Sequence, residues 1–153
     1  MSLIKIATRG LGTGVGGKVL QVVTATDGTQ RQTTSTSFVT GSNTLSVSIT
    51  PSSASNKIFI TVTGNLYIDA NGGYGIATIF RGATNLGDAT NGMSCVYGAS
   101  STVIGSMSMS YLDSPNTTSS TTYQVYFRRY GANIVYLQEP NGKSSITAFE
   151  IAG

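Results

Sequence analysis

Gly12, Gly14 and Gly17 stand at the G-x-G-x-x-G spacing of a dinucleotide-binding turn, and Gly12 to Lys18 also fits G-x-x-x-x-G-K. Both signatures act by aiming the N-terminus of a following helix at phosphate. Here Val19, Leu20, Val22 and Val23 open a strand-like run instead, and Val19 stands where the second motif needs a Mg²⁺-binding hydroxyl. The glycines therefore read as linker. Asp69-Ala70-Asn71-Gly72-Gly73 begins like a calcium loop, yet its twelfth position, which should supply a bidentate carboxylate, is Phe80. Asp69, Asp88, Asp113 and Glu139 all fall in expected loops, where two could meet as the acid pair of a glycan hydrolase. Solvation alone also puts acids in loops, so a plain surface is the preferred reading.

The missing residue types narrow the chemistry further. With no His, neither a Ser-His-Asp nor a Cys-His nucleophile can form, nor a His-ligated metal site. Cys95 is the only cysteine, which excludes an intrachain disulfide and a thiolate zinc cluster, and it reads as a small filler. Asn116-Thr117-Thr118 is a formal glycosylation sequon without a secretory signal to give it meaning. No apolar run is long enough to span a membrane. The net charge of +3 is spread over single basic residues, apart from Arg128-Arg129, unlike the concentrated stripe of a nucleic-acid binder. The expectation is a non-enzyme with no cofactor, no metal, no nucleic acid and no membrane among its partners.

A domain of 153 residues can build one sizeable core. With 20 Ser and 22 Thr against 10% charged residues, its surface must be coated mainly by hydroxyls. Apolar residues recur with period two in short runs separated by Gly, Asn, Ser and Pro, the pattern of β-strands. Strands are expected at 18–25, 44–50, 57–69, 74–82, 93–97, 102–112, 121–130, 133–138 and 144–151. Leu45, Val47 and Ile49 share one face of their strand, as do Ile58, Ile60, Val62, Leu66 and Ile68 of the next. Gly64 suggests a bulge. Ala70–Gly73 reads as a hairpin-type turn, and Gly131-Ala132 as the turn of a hairpin joining 121–130 to 133–138. Eight to ten strands without helical crossovers imply antiparallel sheets, closed as a two-sheet jelly-roll sandwich over residues 18–153.

Residues 1–17 differ from the rest. An apolar, mildly basic segment holding Leu3, Ile4, Lys5, Ile6 and Arg9 precedes five glycines in the eight residues of Gly10–Gly17. Such a tether can reach roughly 55–60 Å when extended. It reads as a flexible arm that lies on a partner.

The aromatics carry a second signal. Tyr126 and Tyr130 share a strand face with Arg128, opposite Tyr123, Val125 and Phe127. Phe59 and Tyr67 lie opposite the core row of their strand, and 133–138 is apolar on both faces, with Tyr136 on one. A monomeric sandwich needs one apolar face per sheet. Phe59, Tyr67, Tyr126, Arg128, Tyr130 and Tyr136 are therefore the candidate subunit interface, and a closed homotrimer is the expected assembly.

The frame formed by Lys18–Ala25, Ser52–Lys57 (SSASNK) leading into Ile58–Gly64, Tyr74–Gly82, Tyr111–Pro115 (YLDSP), Thr121–Phe127 and Ser144–Ile151 resembles a tail-fibre-like structural module of tailed bacteriophages, common in cyanophages and marine phages. The resemblance covers residues 18–153. It implies a trimeric jelly roll of tumour-necrosis-factor type on the outside of a virion, assembled in the host cytoplasm, and brings no catalytic residues. A compact knob on a short arm suits a capsid-decorating, or cement, protein whose arm adds a strand to the major capsid protein or another virion protein. The alternative is the receptor-binding tip of a tail fibre, touching host glycan through 70–73, 85–91 and 113–120. A secreted lectin domain is a third reading, disfavoured by the missing export signal.

Overall fold

The computed structural model describes residues 17–69, 73–99, 102–131 and 134–153. Leu3, Ile4, Lys5, Ile6 and Arg9 of the expected arm lie outside these residues. Eleven strands follow one another: β1 (Val19–Asp27), β2 (Arg31–Thr33), β3 (Ser46–Ile49), β4 (Lys57–Ile68), β5 (Gly73–Arg81), β6 (Thr84–Asn85), β7 (Ser94–Gly98), β8 (Val103–Asp113), β9 (Thr121–Tyr130), β10 (Val135–Leu137) and β11 (Ser144–Ile151). All pairings are antiparallel, and no helix occurs among the described residues.

In the front sheet β1 pairs β11, β11 pairs β4, and β8 lies along the far side of β4. Beyond β11, the same edge of β4 is continued by β10 and then β2. In the back sheet β3 pairs β9, β9 pairs β5, and β6 and β7 share the outer edge of β5. Setting aside the short β2, β6 and β10, the sheets run β1-β11-β4-β8 and β3-β9-β5-β7, which, counting these eight strands afresh from first to eighth, is 1-8-3-6 against 2-7-4-5. That is the jelly-roll order, and the protein is a two-sheet antiparallel jelly-roll sandwich.

The period-two reading of the core holds. Leu45, Val47 and Ile49, Ile58, Ile60, Val62, Leu66 and Ile68 of β4, Met107 and Met109 of β8, and Tyr123, Val125 and Phe127 of β9 are all buried between the sheets. Each such side chain contributes roughly 1.5–3 kcal/mol by leaving water. Polar residues seal both ends of this core. At one end Glu150 accepts from the Ser52 N–H (2.6 Å), the Ser52 hydroxyl (2.7 Å) and the Asn56 amide (2.6 Å). In the same cross-strand row Asp113 takes Arg81 Nη1 on both oxygens (2.8 and 2.9 Å) and the Tyr123 hydroxyl at 2.7 Å. This cluster ties β8 of the front sheet to β5 and β9 of the back. At the other end Asp27 accepts from the N–H groups of Thr29 and Thr44, both at 2.8 Å.

These bonds decide the ionisation of the seals. Burial pushes the carboxyls of Glu150 and Asp27 up, but the donors outweigh it and hold both below the usual range. For Asp27 the Arg31 guanidinium adds to the effect. Burial, then the bond to Asp113, pushes the Tyr123 phenol far above its ordinary value.

Three local expectations are corrected. Segments 121–130 and 133–138 do not form a hairpin: β9 belongs to the back sheet and β10 to the front, between β4 and β2. β4 and β5 are likewise unpaired and lie in different sheets, so they form no hairpin; residues 70–72 of the expected turn lie outside the described residues. Gly64 is not a bulge, since β4 and β8 keep continuous register through it. A Cβ there would meet Ser144 Cβ at 2.8 Å and its hydroxyl closer still, so the glycine admits Ser144. The predicted strands at 44–50 and 133–138 shorten to β3 and β10, and β2 and β6 are additional.

Candidate functional site

The six aromatic and basic residues singled out from the sequence separate onto two opposite surfaces. Phe59, Tyr67 and Tyr136 project from the outer face of the front sheet, and Tyr126, Arg128 and Tyr130 from that of the back sheet.

On the front sheet, pairing builds rows that run straight across the strands. Val22, Phe149, Phe59 and Leu112 are successive cross-strand partners through β1, β11, β4 and β8. The Phe59 and Phe149 rings lie 6.2 Å apart, while Val22 and Leu112 are 54% and 50% exposed. A second row joins Tyr136, Tyr67 and Ile104, with the two tyrosines at 4.9 Å. Between them run hydroxyl rows, Thr24-Thr147-Thr61-Ser110 and Thr26-Ser145-Thr63-Ser108. Their members bond to one another, Thr24 to Thr147 at 3.0 Å and Thr63 to Ser145 at 2.9 Å. The result is a banded surface with no Asp, Glu, Lys or Arg side chain in these four rows. Burial, followed by the charge of Asp69 and the neighbouring Tyr67, raises the Tyr136 phenol above its ordinary value.

The back sheet carries a cleft. Tyr74, Ile76, Thr78 and Phe80 of β5 lie beside Tyr130, Arg128, Tyr126 and Gln124 of β9 on the outer face. Two loops cover part of this face, which is why Ile76 and Thr78 are buried although they point away from the core. Residues 34–45 continue the sheet along β9 through the reciprocal Val39–Phe127 bonds (3.0 and 2.9 Å), Arg129 N–H to Ser35 O (2.9 Å) and Val125 N–H to Leu45 O (3.0 Å). Gly41, at φ +55°, lets this loop pass against the Phe127 ring, where a Cβ would come within 2.7 Å. Residues 82–93 fold back over β5 through Leu86 N–H to Ile79 O (3.0 Å) and Met93 N–H to Ala77 O (2.8 Å). The Thr78 hydroxyl donates to Asn85 Oδ1 at 2.7 Å. Asp88 accepts from the N–H groups of Asn91 (2.6 Å) and Thr90 (2.9 Å), which hold its carboxyl below the usual range, with a smaller part from the Arg128 charge.

Arg128 sits between the two loops, 8% exposed. Its guanidinium donates to Thr36 O at 2.9 Å and to Thr90 O, and lies 5.2 Å from the centre of the Phe38 ring. Around it are two adjoining lobes. One, of about 530 Å³, is bounded by Phe38, Phe80, Asn85, Thr90, Arg128 and Tyr130. The other, of about 320 Å³, is bounded by Tyr74, Ile76, Asn91, Cys95, Arg128 and Tyr130. Aromatic rings line both: Phe80 stacks on Tyr126 at 4.0 Å, and Tyr74 touches Tyr97 (4.7 Å) and Tyr130 (5.9 Å).

Sequence reasoning placed Tyr126, Arg128 and Tyr130 on one face but missed Tyr74, Tyr97 and Phe38, whose proximity depends on β5–β7 pairing and on the 34–45 loop. It did name 85–91, which lines the cleft. Cys95, read as a filler, is exposed at the rim. The four acids weighed as a catalytic pair are engaged separately or lie on the surface. Asp69 accepts from the Ile134 N–H (2.9 Å), Asp88 closes its own loop, Asp113 is the buried end of β8, and Glu139 is exposed. Among the described residues no group of three His, Cys, Asp or Glu could hold a metal ion, and no helix is long and apolar enough to cross a membrane. Comparison with protein-family models and with curated proteins finds no match.

Proposed function

We propose that this chain is a non-enzymatic structural protein of a tailed-phage virion, a trimeric knob decorating or cementing the capsid surface and held there by residues 1–17. The observation that supports it best is the banded outer face of the front sheet. Four strands about 4.8 Å apart and 8–12 residues long offer roughly 600–700 Å², most of one partner's share of a standard interface. Its apolar rows at Val22-Phe149-Phe59-Leu112 and Tyr136-Tyr67-Ile104 gain by leaving water, and the hydroxyl rows between them fix register without a charge to desolvate. In this reading Phe59, Tyr67 and Tyr136 are subunit contacts. Jelly rolls recur in viral shells, which adds support by analogy of fold alone.

Light scattering coupled to size exclusion tests the assembly. The parent should elute at about three times the 15.8 kDa chain mass. Phe59→Ser combined with Leu112→Ser should shift it to one chain mass with an unchanged β-type circular dichroism spectrum. A parent that remains a monomer at 50 µM refutes the trimer. Deleting residues 2–10 should abolish binding to purified capsids, and undiminished binding refutes the arm's role.

A further inference from the structure

We infer that the cleft on the back sheet binds a carboxylated sugar, with the carboxylate at Arg128 and the ring laid on Tyr130 and Tyr74. The inference does not depend on the assembly proposed above, since it concerns the opposite face of the sandwich.

The first ground is an unneutralised cation. Arg128 is more than nine-tenths buried, yet no carboxylate among the described residues forms an ion pair with it; Asp27 pairs with Arg31 and Asp113 with Arg81. Two main-chain carbonyls take two of its five N–H donors, and Nε–H has no acceptor. A buried charge left in this state is costly to the protein, and a carboxylate, like a phosphate, matches the geometry of a guanidinium fork. Asp88 is near enough for its titration to feel Arg128, but the Thr90 and Asn91 N–H groups occupy its Oδ1.

The second ground is the shape and lining of the space. The two lobes share Thr90, Arg128 and Tyr130 and have the volume of a small-molecule site. Tyr130 is 59% exposed and Tyr74 36%, so aromatic surface is open to solvent where both line the space. Such surface suits the C–H side of a pyranose, and the hydroxyls and amides of Thr36, Ser37, Asn85 and Asn91 at the rim suit its hydroxyls. The walls are fastened to the sheet by main-chain bonds, so little order has to be created on binding. A single guanidinium with aromatic walls offers less to a polyphosphate, which draws on several cations or a helix N-terminus.

Cys95 lines the smaller lobe and is the chain's single thiol, so its alkylation by N-ethylmaleimide reports occupancy in the full-length protein. Trigalacturonate or 3′-sialyllactose should slow alkylation at least fivefold with saturation. The methyl ester of either sugar and inorganic phosphate at equal concentration should not. Tyr130→Ala, at an exposed position that should leave folding intact, should weaken protection about tenfold, and Arg128→Gln should abolish it. Arg128 also ties the loops, so the Tyr130→Ala and methyl-ester arms decide the question if Arg128→Gln does not fold. Absence of protection by both acidic sugars, equal protection by the esters or by phosphate, or full protection in Tyr130→Ala overturns the inference.

Discussion

Tyr123→Phe isolates one bond across the sandwich. The ring is wholly buried, and its hydroxyl donates to Asp113 Oδ2 at 2.7 Å while Arg81 holds both oxygens of the same carboxylate. Phenylalanine keeps the ring, so no large cavity opens, and the loss is that of a hydrogen bond to a charged group, about 1.5–3 kcal/mol. Arg81 still satisfies Asp113, which puts the cost near 2 kcal/mol and the fall in Tm at about 4–8 °C for a domain of this size. The same residue predicts alkaline behaviour. Its folded-state pKa is raised well above the ordinary value of 10, so its contribution is complete below pH 10 and is lost as pH rises beyond it. One retained proton gives a slope of about 1.4 kcal/mol per pH unit, or about 2 kcal/mol between pH 10 and 11.5. Tyr136, also raised, titrates in the same direction, so Tyr136→Phe serves as the comparison. Urea unfolding followed by far-ultraviolet circular dichroism at pH 7.5, 10 and 11.5 measures both effects. A variant as stable as the parent at pH 7.5, or one with an undiminished alkaline slope, refutes the reasoning.

Glu150→Gln should cost about 2 kcal/mol at pH 7, because the three donors converge on one oxygen, Oε1, and a neutral amide oxygen in its place accepts each bond without the charge that strengthens it. The folded-state pKa of Glu150 lies below its ordinary value of 4.5, so its stabilisation is present above that value and disappears as pH falls through the folded one. Urea midpoints from pH 7 to pH 3 should therefore fall less steeply in the variant than in the parent. Gly64→Ala should destabilise by about 1–3 kcal/mol through its clash with Ser144, and Ser144→Gly in the same chain should recover more than half of that. Independent, additive losses in the urea midpoints would mean that the two residues do not share the space.

How far the sequence could be read depended on how local each interaction is. The faces of β3, β4 and β9 were legible because alternation is written into consecutive residues, so Ile58, Ile60 and Val62 fall together whatever they pair with. Partners were not legible. β10 is apolar on both faces and follows a glycine, which reads equally well as the second arm of a hairpin or as a strand crossing to the other sheet. Arg-Gln-Thr and Thr-Asn carry too little apolar content to announce β2 and β6. Gly64 looked like a strand defect because its reason, Ser144, stands 80 positions away. The cleft failed to emerge for the same cause. Arg128 was visible on a tyrosine face, but the carbonyls that hold it come from Thr36 and Thr90, in loops that only the assembled sheets bring together.

The position of β11 has a consequence for biosynthesis. The last of the described strands occupies the middle of its sheet, flanked by β1 and β4. At ordinary translation speeds of about 5–20 residues per second, β1 waits several seconds for this neighbour. Until then both flanking strands expose unpaired main-chain edges, and Val62 and Ile60 of β4 lack their cross-strand neighbours Ile146 and Ala148. The front sheet thus cannot be completed strand by strand behind the ribosome. β1 and the β4–β8 pair are joined only when β11 enters between them, and the hydroxyl rows of their outer face suit a surface that waits in water.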